Sequence, residues 1–441
     1  MRLLNLVSSV LVLAATSLML SGCVGLRSTT AAAPTAKAIT LANIHGAVFG
    51  GQQPIVGATV QIYQAGATGY GQGASGLISG GGVLSASGGN FSITGLYTCT
   101  SGSQVYLVAT GGNPGAGTNN NAALIAGLGL CNNLTSSSFV QINEVTTVAT
   151  VWALAPFMNG LNIGAPPSNQ SGLASAFADV NTLVSTATGL PPGANLPIGT
   201  TVPSAEIYAL ADVLASCINS TGAGGGGACD QLFAYTTVNS VTPSDTLAAA
   251  INIARYPASN VDSILALVGA TPPFTTDFAS ANDLSLAVTF TGSGLSSPAA
   301  VAIDAAGNVW LANSGNNSVT ELSHAGVALS GGNGYSAGSM AAPSAIAIDT
   351  TGNAWIANSG NSTLTELNPS GVNAANSPFS GGGLSMPTAI AIDGLGNVWL
   401  ANSGNNSASE FSPSGGALST AISGFTAAGV SAPVGIAINP H

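Results

Sequence analysis

The sequence predicts a mainly β protein with a helical middle segment, and three observations carry that prediction. Apolar residues alternate with polar ones near 44–62, recur at helical spacing near 207–218, and sit in a long repeat through the last third. Only 4% of the 441 residues are charged, against about 25% in an average globular domain. Glycine occurs 59 times, about twice its usual share. Few charges with a positive mean hydropathy argue against charge-driven disorder. The four basic residues, Arg2, Arg27, Lys37 and Arg255, are scattered, which excludes a nucleic-acid-binding face. Three histidines leave little material for an imidazole-based metal or acid–base site.

Residues 1–22 read as an export signal. Arg2 is the short positive start, and Leu3 to Leu20 carry no charge. A transmembrane anchor of that length competes. Leu20-Ser21-Gly22-Cys23 decides against it, because this stretch resembles the bacterial lipobox. The resemblance implies lipidation of Cys23, export, and anchoring to a bacterial membrane at its periplasmic face or the cell surface. More than one acyl chain suffices to hold a soluble body there. Residues 23–41, rich in Thr, Ala and Pro, suit a flexible tether.

Four further cysteines remain: Cys99, Cys131, Cys217 and Cys229. An even number in an exported chain suggests two disulfides. Three pairings are open, and 99–131 with 217–229 is favoured because each closes a loop inside one segment. A zinc site is the rival, but no pair has the short gap that structural zinc sites use.

Residues 42–142 are expected to form a β-sandwich. Val56, Ala58, Val60 and Ile62 alternate, and Gly80-Gly81-Gly82 and Gly88-Gly89-Asn90 punctuate short strands at 91–93 and 105–108. The run from Gly46 to Tyr63, with Gly89-Asn90-Phe91-Ser92-Ile93, resembles the carboxypeptidase-regulatory-like sandwich. Such modules imply a spacer or adhesion role. Tyr63, Tyr70 and Tyr97 are weighed as a glycan site against the commoner role of covering a core.

Residues 143–283 are expected to be helical. Ile207, Leu210, Ala211, Leu214, Cys217 and Ile218 share one helix face, after a start at Pro203-Ser204. A second helix is expected from Pro243-Ser244-Asp245 to just before Pro257, with others at 145–157 and 173–186. Glu144, Asp179, Glu206, Asp212, Asp245 and Asp262 show no tight pairing, so solvated faces or helix caps are expected.

Residues 284–441 carry an internal repeat. Pro298, Pro343, Pro387 and Pro433 open successive copies, 45, 44 and 46 residues apart. Ala302-Ile303-Asp304, Ala347-Ile348-Asp349 and Ala391-Ile392-Asp393 follow. Next come Gly307-Asn308-Val309-Trp310 to Asn316, Gly352 to Asn361 around Trp355, and Gly396 to Asn405 around Trp399. A period of this length with several short strands per copy predicts β-propeller blades. The motifs resemble NHL repeats and the blades of the streptogramin (virginiamycin B) lyase family. The fold class expected is therefore a β-sandwich, a helical domain and a partial propeller of about three blades. Three blades leave apolar faces and strand edges open, so self-association into a homo-oligomer, or coverage by the helical domain, is expected.

Asp304, Asp349 and Asp393 are read as turn-forming residues and Trp310, Trp355 and Trp399 as packing between blades, because each recurs once per copy. Calcium ligation by a lone carboxylate per turn is the weaker alternative. The lyase resemblance implies a metal-assisted His and Glu site, yet Asn313, Asn358 and Asn402 stand where that family places Glu. His324 and His441 are the only histidines in the repeats. Neutral Asn is no carboxylate base, so no catalytic residue, metal or cofactor is expected, and a lyase or sugar-lactonase enzyme is the alternative. The resulting expectation is a membrane-anchored lipoprotein acting by binding or scaffolding, with an envelope protein or glycan as its partner.

Overall fold

Eleven strands precede the helices in the computed structural model, which describes residues 38–438 apart from 42, 95, 96, 136, 195, 275–277, 279 and 428. The signal segment, Cys23, Lys37, Asn439 and His441 lie outside the described residues. The strands are β1 (Ala38–Leu41), β2 (Ile44–Gly50), β3 (Gln53–Pro54), β4 (Thr59–Gln64), β5 (Ser75–Gly76), β6 (Val83–Leu84), β7 (Asn90–Ile93), β8 (Tyr97–Thr100), β9 (Gln104–Thr110), β10 (Ala123–Leu130) and β11 (Phe139–Ile142). One sheet runs β10-β9-β4-β5 with β6 on β4; a second runs β11-β2-β3 with β7 on β2. All pairs are antiparallel except β11 with β2. Strands β1 and β8 form a separate pair. Val60, Ile62, Val105, Leu107 and Ile125 are buried, each contributing about 1.5–3 kcal/mol where a large side chain leaves water entirely.

Six helices follow: α1 (Glu144–Leu154), α2 (Gln170–Leu183), α3 (Ser204–Ile218), α4 (Ala228–Tyr235), α5 (Thr246–Arg255) and α6 (Val261–Leu265). The expected face of α3 is buried throughout, from Ile207 to Ile218. Asp245 caps α5, accepting from Ala248 N–H at 2.8 Å, and Arg255 occupies its last turn. Asn143 caps α1 by accepting from Thr146 N–H at 2.9 Å. The helices and the sandwich strands bury their apolar residues in one continuous cluster, from Ile44 to Leu284.

Threonine hydroxyls join the two layers. Edge strand β10 turns unpaired N–H groups outward, and Thr147 and Thr150 of α1 accept from Ile125 and Gly127 N–H at 3.0 and 2.9 Å. Thr246 of α5 accepts from Ala123 N–H at 2.9 Å and donates to its carbonyl at 2.7 Å. A buried edge needs such partners, which accounts for buried threonines on helices.

Two disulfides join Cys99 to Cys131 and Cys217 to Cys229, with Cα separations of 6.4 and 4.3 Å. The first ties β8 to the end of β10. The second spans the Gly222–Gly227 loop between α3 and α4.

Three blades follow, each a three-stranded antiparallel sheet. Their inner strands are Pro298–Ile303, Pro343–Ile348 and Pro387–Ile392. Their middle strands are Val309–Asn313, Ala354–Asn358 and Val398–Asn402, and their third strands Ser318–Leu322, Thr363–Leu367 and Ser407–Phe411. Two further bridges extend each sheet outward, Val319 with Tyr335 and Leu322 with Ala328 in the first, Leu364 with Phe379 and Leu367 with Asn373 in the second, and Ala408 with Phe425 and Phe411 with Ala417 in the third. The architecture is thus mainly β with a helical middle segment and propeller-like repeats, as the sequence predicts.

Candidate functional site

The Asp-x-x-Gly-Asn stretch of each repeat builds a hydrogen-bonded turn. Asp304 Oδ1 accepts from Ala306 and Asn308 N–H at 2.8 and 2.9 Å, and its Oδ2 accepts from the Trp310 indole at 3.1 Å. Asp349 and Asp393 repeat this, with Trp355 and Trp399 donating at 3.0 and 3.1 Å. Burial pushes these carboxyls up, but the indole and backbone donors, with an Asn amide at Asp304 and Asp393 and the Thr351 hydroxyl at Asp349, outweigh it and hold all three below the usual carboxylate range. The Trp–Asp link is a recurring i, i+6 pair that a residue-by-residue reading of the repeat passes over.

Glutamates close the same network. Asn308 Nδ2 bridges Asp304 Oδ2 at 3.0 Å and Glu321 Oε1 at 3.2 Å, and Glu321 Oε2 accepts from the Tyr335 hydroxyl at 2.8 Å. Burial, with the Asp304 charge adding to it, raises the Glu321 carboxyl above its ordinary value. Asn353 donates to Glu366 at 2.9 Å in the second blade.

Asn313, Asn358 and Asn402 are fully buried inside their blades. Asn313 Nδ2 donates to Ser318 and Thr320 hydroxyls at 3.1 and 3.0 Å, and Asn402 donates to Ser407 and Ser409 at 3.1 and 2.8 Å. Those hydroxyls then hold the chain entering the blade, as Thr320 donates to Ser293 O and Ser409 to Gly382 O. The amide ties strands to a linker, where an ionised Glu would leave hydroxyl partners mismatched and a charge buried.

The tryptophans divide by position. Trp310 and Trp355 are fully buried in the clusters joining blade 1 to blade 2 and blade 2 to blade 3. Trp399 is only half-buried, on the outward face of blade 3. Phe425, its ring partner at 5.7 Å, is 45% exposed. On the opposite face, Val301 and Ile303 of blade 1 are 60% and 66% exposed, whereas their blade 2 counterparts Ile346 and Ile348 are buried and half-buried. Glycines complete each joint. Gly371 and Gly415 leave room for the Tyr335 and Phe379 rings of the preceding blade, and Gly326 does the same for Phe290. Phe290 belongs to a short strand, Thr289–Phe290, paired with Thr200–Thr201 of the body.

Where the body meets blade 1, a cavity of about 320 Å³ is lined by Trp152, Asp179, Leu183, Phe290 and His324. Desolvation there pushes the Asp179 carboxyl up to about 6, against the pull of His324. His324 itself is exposed. Tyr63, Tyr70 and Tyr97 do not act together: Tyr63 stacks on Tyr106 at 5.4 Å, Tyr70 accepts from Asn169 at 3.0 Å, and Tyr97 is buried. Among the described residues, no group of three or more His, Cys, Asp or Glu converges as a metal site. No described helix is long and apolar enough to cross a membrane.

Two acidic residues depart from the expectation of solvated faces or caps. Glu144 and Asp212 are buried, because the loops at 50–51 and 273–274 close over them with backbone N–H donors.

No protein-family model matches the chain, and no curated protein matches it in sequence. Solved structures similar to part of it include a streptogramin B lyase, at 18% identity and a TM-score of 0.21 over 26% of this chain and 38% of that one. A virginiamycin B lyase from Staphylococcus aureus is 16% identical, with a TM-score of 0.22 over 27% and 39%. A nidogen/laminin complex gives 18% and 0.26 over 32% and 52%. The chain thus spans about two-fifths to half the length of these structures, and likenesses this slight bear on neither activity nor ligand.

Proposed function

We propose that this chain is an exported lipoprotein, anchored to a bacterial membrane through lipid on Cys23, whose repeats act as a binding or scaffolding module. One observation carries the binding reading. The Asp and Asn side chains that recur in every blade are bonded inward, while the inner strand of blade 1 meets solvent. The face of blade 3 stays half-exposed with only the start of a fourth copy against it, where Thr388 Oγ1 donates to Pro433 O at 2.7 Å. The partner that fits such a face best is another blade. Trp310 and Trp355 are covered by the Ile-x-Ile inner strand of the blade that follows. Beyond Trp399 the described residues supply only the opening of a fourth copy, with Ile436 and Ile438 half-buried, so its half-exposed ring is left to a blade from a second copy.

Light scattering on the purified mature chain tests this. A dimer or larger assembly that Trp399→Asp returns to a monomer supports the reading, and a monomer at high micromolar concentration overturns it. Anchoring is tested separately by acyl labelling, which Cys23→Ala should abolish.

A further inference from the structure

Two carboxylates lie sunk in the body without a basic partner. Glu144 opens α1 and is fully buried, and Asp212 on α3 is 2% exposed. Both Glu144 oxygens accept from Gly51 N–H, at 2.8 and 2.9 Å, and its own backbone N–H also faces the carboxylate. Asp212 Oδ1 accepts from Phe274 N–H at 3.0 Å, while its Oδ2 is buried with no hydrogen-bond partner. Two turns along α3, Asn219 Oδ1 is a second buried oxygen without a partner.

The Gly50–Gly51 turn brings the Glu144 carboxylate and the Asn219 amide together, and Pro273 beside Gly51 leads into the loop that binds Asp212. A Cβ on Gly50 would lie 2.6 Å from Asn219 Oδ1, and one on Gly51 would lie 3.0 Å from Asn219 Nδ2 and 2.7 Å from Pro273 Cβ. Glycine is needed at both positions for the chain to come this close to the amide. The carboxylates also sense each other, for burial first and the Asp212 charge after it raise the Glu144 carboxyl. Arg255, the one Lys or Arg among the described residues, is spent elsewhere on the carbonyls of Ala155 and Met158.

We propose that Glu144, Asp212 and Asn219 form a buried site for a hard divalent cation of the Ca²⁺ class, beside the Gly50–Gly51 turn. The donor set is all oxygen, two carboxylates and an amide, which suits Ca²⁺ over zinc, whose sites draw on Cys and His. A cation answers unpartnered acceptors directly and neutralises two like charges that otherwise repel in a medium of low dielectric. By joining the β2–β3 turn, the start of α1, the end of α3 and the 273–274 loop, the ion would lock the body of an exported protein.

Calcium binding to the mature chain, purified in detergent and stripped with EDTA, provides the test. Equilibrium titration should show one Ca²⁺ per chain, lost in Asp212→Asn and weakened in Asn219→Ala. The thermal midpoint of the wild type should rise by about 5 °C at Ca²⁺ well above Kd, and that of Asp212→Asn should not. Should Asp212→Asn fail to fold, the wild-type stoichiometry and Asn219→Ala decide. No bound Ca²⁺ in the wild type overturns the proposal, as does equal binding in wild type and Asn219→Ala. A midpoint that falls as pH rises through 8 and ignores Ca²⁺ also overturns it, in favour of a proton shared by the two carboxyls.

Discussion

Trp355 donates its indole N–H to Asp349 Oδ2 at 3.0 Å, so the carboxylate that shapes the turn also fixes the ring that fills the joint to the next blade. Asp349 further accepts from Thr351 and Asn353 N–H. Asp349→Ala therefore strands a buried indole donor and two backbone groups. A loss of about 2–3 kcal/mol is expected in urea unfolding of the repeats, with less lost in Asp349→Asn, which keeps an acceptor oxygen.

Acid should act at the same turns. Asp304, Asp349 and Asp393 are held below the usual carboxylate range in the fold. Their contribution is present above the unfolded value near 4 and is lost as pH falls through the lower folded value. Unfolding midpoints followed below pH 4 should drop, and should drop less in Asp349→Asn.

Glu144 has the opposite sign. Burial pushes its carboxyl up to about 8, so the folded protein holds a proton that the unfolded chain has released. With a chelator present, stability should be fullest below the unfolded value near 4.5 and should fall as pH rises towards 8. Glu144→Gln should flatten that dependence when midpoints are compared from pH 5 to 8.

Gly371 and Gly331 share a left-handed backbone, with φ of +72° and +71°, but only Gly371 has a ring against it, that of Tyr335. Gly331→Ala should cost about 1 kcal/mol from backbone strain alone. Gly371→Ala adds overpacking, for a total of about 2–4 kcal/mol. Denaturant midpoints of the two variants separate the contributions.

Replacing Cys217 and Cys229 together by Ser should lower stability by about 2–4 kcal/mol, through freedom regained by the unfolded loop. Peptide mapping without reductant should recover the 99–131 and 217–229 peptides as linked pairs.

The repeats were legible because the residues that make a blade recur at a fixed offset: Pro343, Asp349, Trp355 and Glu366 each have counterparts one period away. Helix α3 was legible because a wide apolar face runs for fifteen residues. Helices α4 and α6 escaped notice, since eight and five residues hold too few turns for a period to show. The role of Asn313 was hidden in hydroxyls five and seven positions on, at Ser318 and Thr320, whose pattern means little until the strands pair. Glu144 and Asp212 lie 68 positions apart, and nothing local marks either as buried. Their burial is decided by loops at 51 and 274, which no spacing rule connects to them.

Phe290 sits against Gly326 as Tyr335 sits against Gly371 and Phe379 against Gly415. Every copy thus brings one plug and one socket, and the joint does not register how many copies lie to either side. Gain or loss of a whole copy by unequal recombination leaves all remaining joints mated, whereas a change of a few residues within a copy misaligns one. The spacings of 45, 44 and 46 residues between copies show that a residue or two is taken up inside a copy, while the arc itself grows or shrinks by whole copies. The number of blades is therefore the trait most open to variation, and the joint between them the least.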